Sequence, residues 1–461
     1  MNFWIKPSVM IKLINVVEVS LLMSGEKIKV RLLFWGKPKG YAKWPNIYFD
    51  TEKRAEELRR ALEERFPDFS FIDGSLIAKY EDVLEVAEKV GEGGEVCVLI
   101  FHLASGWFPA YEIMKKIPTV VMVDPYLWGY AGMITHVHGL SEEGRRGFIV
   151  SSSSWKDIEL GLRVIKAYAT LKSAKILLVG TEESKESNLY VDNLEDLGVE
   201  AIHIGFDELK EMYEEVSLEE AKKLASELRR GAEKIVETED EEIVKGARMY
   251  YALQRLAEKY GAIGVSVDCL RGFYANKLPA YPCIAFSLLD DGGEIMASCE
   301  YDVHSLLTKI IMREIAERPG FISEPAIDTS KNLAIYAHCV SPRLMNGFGG
   351  EGERYWIRTH AEDDKGATLE VFYSHSKPVT IVKVIPEEKR ILLLKGELLG
   401  SEESEGGCRC KAVVRVGDAQ KLADHWQHSW HRVLYYGDWT REVTWLGRML
   451  GYEVFWEPGT L

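Results

Sequence analysis

No stretch of this sequence is apolar for long enough to cross a bilayer. Charge-free runs such as 96–111 and 125–140 are 16 residues long and carry Pro and His, short of the ~18–20 apolar residues of a spanning helix, so no membrane partner is expected. Positive charge is also in deficit. With 57 Lys+Arg against 72 Asp+Glu and a net charge of −15, the chain lacks the basic footprint of a nucleic-acid binder or a membrane-surface binder. The ligand expected is neutral, or held through a cation. Cysteine is sparse and unpatterned: Cys97, Cys269, Cys283, Cys299, Cys339, Cys408 and Cys410 are odd in number, and no CxxC occurs. That excludes a disulfide framework and suits reduced thiols in a cytoplasmic setting. Cys408 and Cys410 alone are close, and they read as a loop feature. Glycine fingerprints are missing too: VGTEES (179–184) is too poor in glycine for a dinucleotide turn, and MNGFGGEGE (345–353) has no Walker Lys-Ser/Thr. The first 22 residues are broken by Lys6, Lys12 and Glu18 and have no cleavage signature, so they are not read as a secretion signal. Met23 is an alternative start.

What is present is a large apolar complement, 46 % of 461 residues, enough for two to four domains with a sizeable core. From Lys27 short apolar runs alternate with amphipathic segments. VRLLFWG, FSFI, EVCVLIF and TVVMVD read as strands, and 51–66 and 80–90 as helices. Near-continuous apolar strands between helices predict a parallel sheet covered on both faces. FIVSSSS, AKILLVG and EAIHIG, with helices at 155–171 and near 190, repeat the theme. Two polar helices follow, near 217–236 and 240–260. After Gly261 the texture changes: GVSVDCL and CIAFSLL look strand-like, and 367–416 holds four strands with turn signals. A helix near 418–428, the strand HRVLYYG (431–437), the helix REVTWLGRML and the strand YEVFW close the chain. The fold class is α/β, with two doubly wound parallel-sheet N-terminal domains followed by a C-terminal α+β domain with a β-rich, barrel-like segment. The divisions expected are 1–25 as an extension, 26–145, 146–262 and 263–461.

The chemistry-bearing residues concentrate after residue 294. Glu300 follows EIMASC and precedes a helix whose residues Leu306, Leu307, Ile310, Ile311 and Ile315 share a face. A carboxylate at a strand-to-helix junction suits a ligand site at the carboxyl edge of a sheet; Glu300 or Asp302 equally suits a helix cap. Glu324 lies in FISEPAID, and His338 ends the strand-like LAIYAHC, where a structural histidine is the plain alternative. HWQHSWH carries His425, His428 and His431 at spacings of three, although His431 opens the β-rich run. Two carboxylates with one or two imidazoles suit a borderline divalent ion such as Mn²⁺, with oxygen ligands favouring Mn, Mg or Co over thiolate metals. The nearby thiols read as bystanders. Asp268 and Arg271 at a strand end are candidate substrate contacts. Trp107, Trp128, Trp155 and Trp430 could line a sugar site or simply fill core and interface.

The order CEYDVHSLLT, FISEPAIDTSKNLAIYAHCVSP, WHRVLYYGD resembles the L-fucose isomerase and L-arabinose isomerase superfamily. The resemblance is clearest over 261–461 and fainter before it, and includes KGEL (395–398), like the glycine-glutamate turn of that family. It implies metal-dependent interconversion of an aldose and a ketose, with the acidic E-G-D residue falling on Glu300, the second carboxylate on Glu324, the strand-end histidine on His338 and the late histidine on His431. The family glycine is Tyr301 here, the Gly-Asp is Ser323-Glu324, and the first histidine of the late pair is Trp430. Catalysis is expected from Glu300 and Glu324, metal binding from Glu300, Glu324, His338 and His431, and substrate contacts from Asp268, Arg271 and Trp430. The cofactor expected is Mn²⁺, with Mg²⁺ or Co²⁺ as alternatives, and the substrate a free pentose or 6-deoxyhexose. A homo-oligomer, trimer or hexamer, is expected, because sites of that family borrow residues from a neighbouring subunit. The rival readings are a metal-dependent hydrolase or lyase, and a non-catalytic sugar-binding protein of the same fold.

Overall fold

The computed structural model describes residues 27–104, 110–127 and 130–461. The expected extension 1–25, Trp107 and Trp128 lie outside the described residues. The chain builds a mixed α/β structure with two parallel sheets and a closed C-terminal β-barrel.

Strands β1 (Ile28–Trp35), β2 (Phe69–Ile77), β3 (Cys97–His102), β4 (Thr119–Val123) and β5 (Gly147–Ser151) form the first sheet in the order β2-β1-β3-β4-β5. All its pairings are parallel. β5, expected to open the second α/β unit, instead pairs with β4 and completes the first sheet. β6 (Lys175–Val179) and β7 (Glu200–Ile204) begin the second sheet, and after the short β8 (Lys234–Ile235) it is completed by β9 (Gly264–Val267) and β10 (Met296–Ser298), in the order β10-β9-β6-β7. The texture of 264–298 predicts membership of the C-terminal unit; its two strands instead pair with the second sheet, whose parallel strands are covered on both faces.

Two local expectations change. CIAFSLL is a helix, Cys283–Gly292, nearly all buried. A short apolar run gives no period when both faces are covered, so strand and buried helix look alike in sequence. The helix expected near 190 is replaced by 3₁₀ turns at Glu182–Glu186 and Leu194–Leu197.

The C-terminal part supplies β11 (Phe321–Asp328), β12 (Leu333–His338), β13 (Tyr355–Arg358), β14 (Thr368–Val371), β15 (Lys377–Ile385), β16 (Arg390–Ser401), β17 (Cys410–Arg415), β18 (Arg432–Tyr436) and β19 (Glu453–Trp456). The ring β15-β18-β11-β12-β17-β16 closes by pairing β16 with β15, and β19 adds alongside β16. Closure leaves no open edge within the ring. KGEL, expected as a turn, runs inside β16 opposite Pro378 and Val379. β8, β13 and β14 make a small separate sheet.

The helix Val303–Ala316 ties these layers together. All its residues are buried, and it packs between the helix Trp155–Lys172 and β15. Asp302 caps it, accepting the Ser305 N–H at 2.9 Å. Its apolar residues join the first sheet and the outer barrel face in one core; each of Leu306, Leu307, Ile310, Ile311 and Ile315 contributes about 1.5–3 kcal/mol by burial. Lys309 is buried on the same helix and donates to Asp290 at 2.5 Å and to the Ala297 carbonyl at 2.6 Å.

Candidate functional site

Glu300 stands where β10 turns into this helix, the carboxyl edge at which open parallel sheets expose ligands. The turn is tight: Glu300 and Tyr301 take φ of 60° and 59°, a left-handed conformation that costs a residue with a Cβ about 1–2 kcal/mol each. It is held by backbone bonds from Tyr301 N–H to Val267 O at 3.2 Å and from Asp302 N–H to Cys299 O at 3.0 Å, and by the Ser298 hydroxyl donating to Asp302 O at 2.7 Å. Tyr301 therefore occupies a position that a glycine would fill without strain. Its ring repays the cost: it is 1 % exposed, stacks on Tyr190 with centroids 5.9 Å apart and places its hydroxyl 2.9 Å from His203 Nδ1. Tyr301→Gly should relieve about 1–2 kcal/mol of strain but forfeit about 3–5 kcal/mol of aromatic burial. Urea unfolding should show a net loss of about 2 kcal/mol; a more stable variant would show that strain outweighs packing.

The barrel brings two imidazoles to this carboxylate. His338 ends β12 and sets Nε2 3.5 Å from Glu300 Oε1. His431, immediately before β18, sets Nε2 3.8 Å from Glu300 Oε2. The two rings meet edge to face at 5.2 Å. Residues 131 positions apart in sequence (431 − 300) are thus gathered at the seam between the second sheet and the barrel.

The tautomers of the two rings differ. His431 Nδ1 donates to Asp302 Oδ2 at 2.9 Å, so in its neutral form the ring has its lone pair on Nε2, facing a carboxylate oxygen. Two acceptors face each other there, an arrangement that a cation between them satisfies. A carboxylate behind a ligating imidazole is also the usual support of a metal-binding histidine. In His338 the Val340 amide donates to Nδ1 at 3.2 Å, so Nε2 carries the proton and acts as a donor toward Glu300.

Burial works against charge throughout. For Asp302, completely buried, it is outweighed by the His431 hydrogen bond and the Lys383 and His304 charges, which hold the carboxyl far below its ordinary range. For Glu300 burial is outweighed by the His338 hydrogen bond and the two histidine charges, leaving its proton affinity lowered. His338 is shifted the other way: burial opposes the proton, but the bond and charge of Glu300, with the Cys339 and Glu324 charges, raise its affinity. Lys383 lies behind Asp302, 1 % exposed, with no hydrogen-bond partner on Nζ; burial lowers it to about 8.

Cys299, a bystander thiol on the sequence reading, stands at the site. Its Sγ lies 3.4 Å from His338 Nε2, and Cys299, Glu300 and His338 offer ligand atoms all within 4.8 Å of one another, a candidate metal-binding group. The available signal was its place beside Glu300 at the end of β10. Glu324 sits on β11 opposite Ala337, exposed, with its charge felt at His338 but outside that compact group. Trp430 is 41 % exposed, and its ring centroid lies 6.0 Å from that of His431.

Asp268 follows β9, one strand over from Glu300. Its Oδ2 accepts from the Ser184 hydroxyl at 2.7 Å and from Arg271 Nε at 2.9 Å. Arg271 also reaches the Glu183 carboxylate at 3.2 Å, so its charge is already answered within the fold. The other two histidines of HWQHSWH turn away: His428 pairs with Glu388 at 2.7 Å, and His425 Nδ1 lies 2.9 Å from Lys421 O. The local three-histidine site therefore does not form, because the chain turns through left-handed His428 and Ser429 before β18.

No protein-family model matches this chain. Over 220 residues it is 27 % identical to the sulfoquinovose isomerase of Priestia aryabhattai and, equally, to that of Priestia megaterium, the match covering 46 % of this chain and 48 % of each relative. The chain thus spans about half the length of the curated relatives it matches. No helix among the described residues is long and apolar enough to cross a membrane.

Proposed function

We propose that this protein is a metal-dependent aldose–ketose isomerase acting on a free sugar, of the pentose or 6-deoxyhexose class such as arabinose or fucose. The observation that carries the reading is the meeting of Glu300 Oε2 with the bare Nε2 of His431, backed by Asp302. The likeness to two sulfoquinovose isomerases supports the same reaction class.

The donor set fits a divalent cation such as Mn²⁺: Glu300 and His431 would hold it, with Glu324 as a further candidate, while the ligand role expected of His338 gives way to hydrogen bonding because its Nδ1 is taken by the Val340 amide and its Nε2 carries the proton. When bound, it supplies Lewis-acid stabilisation of the negative charge that builds on the sugar oxygens as the C–H proton leaves. The chain does the rest. Glu300 and Glu324 form the acid/base pair, one moving the proton between the two neighbouring carbons and the other moving the hydroxyl proton between their oxygens, so that both hydrogens of the interconversion are accounted for. His338, with Nε2–H held forward by the Val340 amide, donates to a sugar oxygen. Asp302 keeps the His431 ring in register. Asp268 orients Arg271 through the 2.9 Å bond to Nε, and Trp430, beside His431, offers an aromatic face. Exposed Glu324 and Trp430 leave one side of the site open, which suits completion by a neighbouring copy in a homo-oligomer, a trimer or hexamer.

The test is ketose formation from a panel of free pentoses, 6-deoxyhexoses and sulfoquinovose by the full chain, with Mn²⁺ and with chelator. Chelator-sensitive turnover of one sugar is expected. A metal-loaded protein that turns over none of them would refute the isomerase and favour a hydrolase, a lyase or a sugar binder on the same fold.

A further inference from the structure

The proposed ligands leave a question of chemistry at the Oε1 side of Glu300. Val340 N–H fills Nδ1 of His338, so the ring points a proton rather than a lone pair at that side. A side chain with lone pairs to offer there is Cys299, through its sulfur. It is 2 % exposed, 3.4 Å from His338 Nε2 and within 4.8 Å of the Glu300 carboxylate. Its backbone is held in place, since Cys299 O accepts the Asp302 N–H at 3.0 Å in the same turn that sets Glu300.

We infer that Cys299 is a sulfur ligand of the candidate metal site, so that the site takes thiophilic or borderline ions such as Co²⁺, Zn²⁺ or Cd²⁺ in preference to Mn²⁺ or Mg²⁺. The inference rests on the metal-site reading of Glu300 and His431 above. On binding, the S–H bond breaks, the electron pair passes to the cation as the metal–sulfur bond forms, and the proton leaves to solvent; no electron changes hands. A coordinating thiol gives up its proton to the ion outright, which makes the burial that keeps the thiol of the free protein protonated compatible with ligation. Two hard oxygens alone favour Mn or Mg, whereas one thiolate moves the preference toward soft and borderline metals.

Other sulfurs lie nearby. Cys269 is buried and close enough to Glu300 to feel its charge, Cys339 follows His338, and Cys410 Sγ is occupied at 3.0 Å by the Leu369 carbonyl. Cys299 alone among the described residues forms the compact group with Glu300 and His338.

The test is spectroscopic. The full-length apo protein is loaded with Co²⁺ and its near-ultraviolet spectrum recorded for wild type, Cys299→Ser, Cys299→Ala and Cys269→Ser; Zn²⁺-loaded wild type is examined by X-ray absorption. A sulfur-to-cobalt charge-transfer band should appear in wild type and Cys269→Ser and vanish in both Cys299 variants, and zinc should show a sulfur neighbour at about 2.3 Å. Cd²⁺ should bind wild type at least about tenfold more tightly than Mn²⁺, and the ratio should collapse in Cys299→Ala. Bound cobalt without the band, or a band lost with Cys269 instead, overturns the assignment of Cys299 while leaving the isomerase reading intact. Failure to bind any divalent ion overturns both. Mn²⁺-dependent sugar turnover with no sulfur signature sinks only the sulfur ligand.

Discussion

Replacing Glu300 by Gln is expected to lower sugar isomerisation by about 10²–10⁴-fold, the usual worth of a positioned acid or base, with the fold intact. The amide matches the carboxylate in shape, and its neighbours His338 and His431 lie 3.5 Å and 3.8 Å away, so packing is preserved. Metal affinity should fall together with turnover, because the variant removes the anion that both imidazoles face. Glu324→Gln is the informative comparison. Its side chain is exposed and outside the compact group, so turnover should drop comparably while metal affinity changes less. Steady-state rates and Mn²⁺ titrations on the two variants separate the roles. A Glu300→Gln enzyme within about tenfold of wild type would be incompatible with any acid/base duty for this residue.

Lys309→Met is expected to produce the largest loss of stability, about 3–5 kcal/mol, because removing one partner of a buried pair strands the other charge. Lys309 and Asp290 side chains are both 0 % exposed, and the Ala297 amide completes the carboxylate at 2.9 Å. Burial pushes Asp290 up to about 6, with Lys309 and the Ala297 amide opposing. The sign follows from that direction. A carboxyl whose folded value is raised stabilises the fold fully below its ordinary value near 3.8, and that contribution is lost as pH rises through about 6. Without Lys309 the stranded carboxylate should rise further, so the penalty should be greatest at neutral pH and shrink as the pH falls through about 6. Urea unfolding across that range checks it; a constant penalty would mean that lost packing dominates. Lys309→Met combined with Asp290→Asn should recover part of the loss. The pair also anchors β10 just before Glu300, so the single variant should loosen the site.

Much of the frame was open to sequence reading because period and punctuation are local. The strands β1, β3 and β4, the helix after Asp302, and the run of strands from 367 to 416 follow from apolar alternation and turn residues. Glu300, His338 and His431 stand at the ends of apolar runs, where a helix cap or a structural histidine serves equally well, and in the sequence only the resemblance to the isomerase superfamily groups them. CIAFSLL could not be resolved, since complete burial erases the periodicity that separates helix from strand. The unit to which β5 belongs is not legible in the sequence, because sheet membership depends on partners distant in sequence, and a glycine-marked gap carries no information about pairing.

By itself, then, the sequence determined most of the strand and helix segments, though not CIAFSLL or the stretch near 190, the acidic surface, and which side chains have the chemistry to hold a cation, because those depend on residue type and short-range spacing. Only the tertiary structure decided that β9 and β10 pair with the second sheet and that the six-stranded ring closes. It alone set the histidine tautomers, through Asp302 and the Val340 amide, and brought the sulfur of Cys299 into the site. These are matters of a few ångströms between residues far apart in the chain, settled by packing and by the need of every buried donor and acceptor for a partner.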